Sequence, residues 1–146
     1  MGTVRNILQA KGHAVYSVHP DNTVYEALNV LVDRNVGALV VLDNDKFLGI
    51  FSERDYARKV ILKGRASKET LIREIMTERP ITVTENDSIE DCMVKMTDKR
   101  IRHLPVVDEQ QRLVGLISIG DVVKFIIDEQ RYIITNLECY INGTHM

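Results

Sequence analysis

The chain carries one internal duplication, and the repeated positions are polar as well as apolar. Val24, Ala27, Leu28, Leu31 and Val36 recur at a constant shift as Ile89, Cys92, Met93, Met96 and Ile101. After one extra residue in the second copy, Gly49-Ile50-Phe51-Ser52-x-x-Asp55 recurs as Gly115-Leu116-Ile117-Ser118-x-x-Asp121. A long period present in two copies argues for a duplicated unit rather than an open solenoid. A hydroxyl and a carboxylate kept at the same place in both copies point to two related binding sites.

Each copy reads as β-α-β-β-α. In the first, Val15–Val18 is a short strand and Thr23-Val24-Tyr25-Glu26 matches a capping box. The helix that follows has apolar residues at helical spacing and ends near Asn35 and Gly37. Ala38–Leu42 and Phe47–Phe51 are strands joined by Asp43-Asn44-Asp45, and a second helix begins around Ser52, carrying Tyr56, Ala57, Val60 and Ile61. In the second, Ile81–Val83 is a strand and Ser88-Ile89-Glu90-Asp91 opens a helix reaching about Lys99. Leu104–Val107 and Leu113–Ile117 are strands around Glu109-Gln110-Gln111. The expected fold is mixed α/β (α+β): two motifs related by an internal pseudo-two-fold, at 1–66 and 67–128, and a helical extension at 129–146. With 146 residues, 45% of them hydrophobic, the chain can bury one core built from two interlocking halves.

This pattern resembles a pair of CBS motifs, the arrangement called a Bateman module. Asn35-Val36-Gly37-Ala38-Leu39-Val40-Val41, Arg102-His103-Leu104-Pro105-Val106-Val107-Asp108 and the two Gly-h-h-Ser-x-x-Asp segments (h is apolar) carry the resemblance. It runs from about Val4 to Ile127. Ser52-Glu53-Arg54-Asp55-Tyr56-Ala57-Arg58-Lys59-Val60 and the extra C-terminal helix are most similar to small stand-alone CBS-pair proteins. The resemblance implies a regulatory, non-catalytic protein that dimerises and binds AMP, ADP, ATP, NAD(H) or S-adenosylmethionine.

Ser-x-x-Asp at a helix start is, on its own, a cap: the hydroxyl accepts from the third amide and the carboxylate reaches back. The same geometry can bind a nucleotide. Unpaired helix N–H groups and the hydroxyl meet phosphate, while the carboxylate accepts from the ribose diol. The repetition and the resemblance together favour binding, with Asp55 and Asp121 on ribose and Ser52 and Ser118 on phosphate. Arg102 and His103 extend the basic turn of Lys99 and Arg100, and the resemblance makes them phosphate contacts. A histidine beside phosphate is expected to be partly protonated near neutral pH. The first copy has Gly37 and Ala38 at those positions, a lack that Arg54, opposite Gly120, partly offsets. The two sites are therefore expected to differ in charge.

The resemblance also implies that each cleft joins the Ser-x-x-Asp of one copy to the first strand and helix end of the other. Asp121, Ser118 and Gly120 then face Tyr16, Val36 and nearby Lys11. Asp55, Ser52 and Arg54 face Ile81 and Ile101. Val36 and Ile101 are equally ordinary core positions. The ring of Tyr16 can stack on a base or block its slot.

Other classes find little in the residues. The net charge of −2 and 5% aromatics give no general attraction to nucleic acid or to an anionic membrane. Met1–Asn6 lacks a signal-peptide run, and no apolar stretch has membrane-spanning length. Cys92 and Cys139 read as reduced thiols of a cytoplasmic protein. His13, His19, His103 and His145 show no metal-ligand spacing, so no metal site is expected. Gly-x-Ser-x-Gly, a Walker loop and Gly-x-Gly-x-x-Gly are missing, so no catalytic residue is assigned and no cofactor is required. The rival readings are a purely structural interaction module and, less well supported, a small NAD-using enzyme. Finally, Val123, Ile126, Ile127, Ile133, Ile134, Leu137 and Ile141 form an apolar stripe beyond the repeated unit. It either packs against a second chain, giving a homodimer, or folds back near Val15. Any effector protein is not visible in the chain.

Overall fold

Thr23 Oγ1 accepts from the amide of Glu26 at 3.1 Å, and the Glu26 carboxylate accepts from the amide of Thr23 at 3.0 Å. This reciprocal cap starts a helix that ends where Asn35 turns left-handed at φ 53°. The second copy does the same with Ser88, which accepts from the Asp91 amide at 3.1 Å, and with Arg100 at φ 54°. Asparagine takes that conformation readily and arginine less so.

The computed structural model describes residues 2–142. In chain order the elements are α1 (Val4–Lys11), β1 (Ser17–Val18), α2 (Val24–Arg34), β2 (Ala38–Asp43), β3 (Lys46–Ser52), α3 (Glu53–Asp55), α4 (Ile72–Ile75), β4 (Thr77–Glu78), α5 (Ile89–Lys99), β5 (His103–Val107), β6 (Leu113–Ser118) and α6 (Ile119–Ile141). The fold is mixed α/β with a long C-terminal helix, as expected. One sheet has the order β1-β2-β3-β4 and the other is the hairpin β5-β6. The two hairpins share even their irregularity: the register slips between Val41 and Leu42 in one and between Val106 and Val107 in the other.

Two helices were not foreseen, and they lock the halves together. Val4, Ile7 and Leu8 of α1 pack into the second unit's core with Ile89, Met96 and Leu104. Ile72 and Ile75 of α4 pack into the first unit's core with Leu31, Leu39 and Phe51. The backbone repeats the exchange. The amides of Val4 and Arg5 donate to the carbonyls of Asp87 and Glu85, and those of Ile72 and Arg73 to the carbonyls of Asn22 and Pro20. Each helix thus completes the unit to which it does not belong in sequence.

Two local expectations change, and one open alternative for α6 closes. The strand expected at Ile81–Val83 shrinks to a single parallel bridge between Val83 and Val106. Strand β4 lies earlier and pairs with β3 of the first unit. Between them Arg79 is left-handed at φ 49° and Pro80 has no N–H to donate, so the segment cannot continue as one strand. The helix after Ser52 is α for three residues, then a π turn at Tyr56–Val60 and a 3₁₀ turn at Ile61–Lys63, which leaves Ile61 exposed. Finally, α6 does not fold back toward Val15. Val122 is buried and Phe125 and Ile126 touch the second core, whereas Ile133, Ile134, Leu137 and Ile141 are 50%, 54%, 56% and 78% exposed.

Candidate functional site

Strand β3 ends at Ser52, which caps the helix start. Its amide and hydroxyl donate to Oδ2 of Asp55 at 2.9 and 3.2 Å. The other carboxylate oxygen, Oδ1, accepts from Thr77 Oγ1 at 2.8 Å and pairs with Lys59 Nζ at 2.9 Å. Asp55 is 5% exposed, so its charge is held by four named donors rather than by water. Thr77 reaches it because β4 lies beside β3. The crossover segment that follows brings Arg79, Pro80 and Ile81 to the same place.

A cleft of about 630 Å³ opens beside this carboxylate. Of the residues singled out from sequence, Ser52, Arg54, Asp55, Ile81, Ile101, Arg102 and His103 line it. Both units contribute. The left-handed turn at Arg100 delivers Ile101, Arg102 and His103, and Arg54 donates to the Arg100 carbonyl across the boundary. Arg58, Arg79, Thr77 and Glu53 line the cleft too and were not singled out. Arg58 lay in view within the quoted Ser52–Val60 segment. Arg79 could be placed only once β4 had been located.

Arg54 and Arg102 line one and the same cleft, together with His103, so the offset expected from Arg54 and the basic turn of the second copy fall at a single site. Burial pushes the His103 imidazole below the usual histidine range; Asp121 opposes this, while Lys11 and Arg102 reinforce it. Burial therefore favours the neutral imidazole of His103 in the ligand-free protein. Its ring lies against Gly37, where an added Cβ would sit 3.3 Å from Cε1.

The second Ser-x-x-Asp makes the same cap. Ser118 N donates to Asp121 Oδ2 at 2.8 Å, and Ser118 Oγ accepts from the Asp121 amide at 3.1 Å. Here, however, Lys11 at the end of α1 fills the carboxylate. Its ammonium donates to Asp121 Oδ2 at 2.7 Å and to the Leu116 carbonyl at 2.9 Å. Partial burial raises the Asp121 pKa, but hydrogen bonds from Lys11 and Ser118 and the Lys11 charge outweigh it and hold the carboxyl below its usual range. The adjoining depression is only about 110 Å³ and is bounded by Ile7, Lys11, Asp121 and Phe125. Tyr16 and Val36 line neither cavity; Tyr16 is 45% exposed beneath the Arg34 guanidinium, 5.1 Å from its ring centre. Gly120 is exposed. Among the described residues no cluster of His, Cys, Asp and Glu could hold a metal, and no helix is long and apolar enough to cross a membrane.

Comparison with known proteins agrees with this architecture. The CBS domain family model matches residues 4–62 and 72–128. CBS domain-containing protein CBSX3, mitochondrial, from Arabidopsis thaliana is 40% identical over 150 residues, spanning 97% of this chain and 72% of that protein. Inosine-5′-monophosphate dehydrogenase of Methanocaldococcus jannaschii is 34% identical over 111 residues, 75% of this chain but only 21% of the enzyme. Among solved structures, a putative signal-transduction protein with CBS domains from Burkholderia ambifaria MC40-6 superposes with a TM-score of 0.83. It is 46% identical and covers 88% of this chain and 96% of its own. CBSX2 in complex with AMP gives a TM-score of 0.72 at 27% identity over 89% and 99% of the two chains. The CBS domain pair of protein MJ0100, in complex with 5′-methylthioadenosine and S-adenosyl-L-methionine, gives 0.73 at 27% identity over 85% and 98%. With the family model matched twice across most of its length, the chain belongs to the CBS domain family and is a tandem CBS pair.

Proposed function

We propose that this protein is a regulatory module that binds an adenosine-containing nucleotide in the Asp55 cleft. The carrying observation is the convergence on one cavity of a capped carboxylate, apolar Ile81 and Ile101, and several guanidiniums. Ribose hydroxyls are recognised by Asp55, phosphate by Ser52 and the arginines, and the base by the apolar walls. AMP and S-adenosyl-L-methionine, found on CBSX2 and the MJ0100 pair, support that ligand class. The cleft is built from both units, so a ligand that prefers one arrangement of them shifts the equilibrium between arrangements, and an effector protein can read the shift. No catalytic step is part of this reading.

The Asp121 site favours a different role. With Lys11 on its carboxylate, Ser118-x-x-Asp121 acts as a structural clamp between α1 and α6 in the ligand-free protein. We further infer a homodimer joined through α6, and a reducing, cytoplasmic setting consistent with the unpaired Cys92 and Cys139. A thermal-shift panel tests the central reading. Adenine nucleotides should raise the melting temperature by mass action, and guanine nucleotides should raise it less. A panel in which no adenosine compound has an effect would leave only an interaction module.

A further inference from the structure

Four arginines line the Asp55 cleft: Arg54, Arg58, Arg79 and Arg102. Among the described residues none of the four has a carboxylate partner, whereas Arg5, Arg65, Arg73 and Arg112 each do. The only acidic residues lining the cleft are Glu53 and Asp55, and Asp55 is already paired with Lys59. The cleft is thus locally cationic on a chain whose formal net charge is −2. Like charges gathered around one concavity repel each other and focus a positive potential into it. Guanidinium forks match phosphate oxygens two at a time, so the arrangement has donors for several phosphates. A single phosphate would leave most of that potential unanswered, and a sulfonium would oppose it. The volume of about 630 Å³ is of the size that encloses a small-molecule ligand.

Resting on the adenosine reading above, we propose that the Asp55 cleft selects adenosine ligands carrying two or more phosphates over the monophosphate and over S-adenosylmethionine. Arg54 and Arg58 lie on the helical segment that follows β3, Arg79 on the crossover, and Arg102 immediately before β5. A chain of phosphates leaving the ribose at Asp55 can therefore meet guanidiniums from both units. The longer the phosphate chain, the more firmly the ligand ties the two units together, which links its charge to the regulatory state.

Calorimetric titration of the full chain with adenosine, AMP, ADP, ATP and S-adenosylmethionine, in the presence of a chelator, tests this. Affinity is expected to rise about tenfold with each added phosphate, as one further charge-assisted hydrogen bond would give. The gradient should shrink at high salt. The double variant Arg54→Gln/Arg102→Gln, checked for an unchanged thermal melt without ligand, should flatten the series. Adenosine compounds that bind without a gradient, or a gradient that survives the double variant, would overturn the selection while leaving the adenosine reading intact. Failure of every adenosine compound to bind would overturn that reading, and the selection with it.

Discussion

Asp55 and Asp121 occupy equivalent places and each pairs with a lysine, but the two lysines come from different parts of the chain. Asp55 is braced by Thr77 and by Lys59 on its own helical segment; Asp121 is braced by Lys11 from a helix remote in sequence. Asp55→Ala removes the ribose acceptor and leaves Thr77 and Lys59 without their partner. It should abolish the nucleotide-induced rise in melting temperature and destabilise the ligand-free chain by about 1–3 kcal/mol, read by urea denaturation. Asp121→Ala should leave that nucleotide response in place. His103 provides a pH signature. Its folded-state pKa is lowered by burial, so below the unfolded value of 6.5 the unfolded chain binds more protons and stability falls as the pH drops. Denaturation midpoints between pH 7 and 5 should show this decline, and His103→Gln should reduce it. A phosphate placed beside His103 raises its pKa, so nucleotide binding near pH 6 should take up protons. Titrations in buffers of different ionisation enthalpy would detect the uptake, and a heat independent of buffer would contradict a phosphate contact at His103.

At the scale of elements, the legible parts were those in which local chemistry and periodicity agree. Thr23 and Ser88 announce helix starts, and the apolar stripes of α2 and α5 run for three turns. Each hairpin has a polar turn between apolar runs. α1 and α4 escaped because each is short and keeps only two or three buried side chains, all of which are satisfied by the other unit. Their relationship was nevertheless present in the chain: Val4-Arg5-Asn6-Ile7-Leu8 parallels Ile72-Arg73-Glu74-Ile75-Met76. Seven site residues converge on one cleft because Ser-x-x-Asp is a local motif and the resemblance to CBS pairs supplies its partners from the other unit. The Lys11–Asp121 pair was not legible as an ion pair, since it depends on where α1 docks. Lys11 was expected beside a nucleotide there. The exchange carries a measurable cost. Ile7 is 3% exposed and Ile72 is fully buried, so Ile7→Ala and Ile72→Ala should each destabilise the chain by roughly 2–4 kcal/mol. Because α1 completes the second core, deleting residues 2–11 should be more damaging than trimming a terminus usually is. Loss of the cooperative urea transition would reveal it, and a transition unchanged in midpoint would contradict the packing described.

Taken whole, the molecule satisfies its two cores internally and leaves one large element unsatisfied. Helix α6 has 23 residues, and only Val122 is fully buried. Along its length it nevertheless keeps an apolar pattern: Ile126, Ile133 and Tyr140, and beside them Ile127, Ile134 and Ile141, recur at heptad spacing, with Val123 and Leu137 on the same face. A stripe with that period is suited to another helix bearing the same stripe, and a second copy of this chain supplies one. A solvent-facing apolar strip of this length is also a liability on an isolated monomer. Truncation after Glu129 should therefore weaken the dimer while leaving both cores and the Asp55 cleft in place, since no residue beyond it belongs to either core or lines that cleft. Leu137→Glu should do the same by placing charge in the seam, raising the dimer dissociation constant by at least about tenfold, the equivalent of one buried apolar contact. Sedimentation of the full-length, truncated and substituted chains measures it directly. A dimer constant unchanged in both variants would show that the copies meet elsewhere, and a monomeric full-length chain would show that the stripe answers to a different partner.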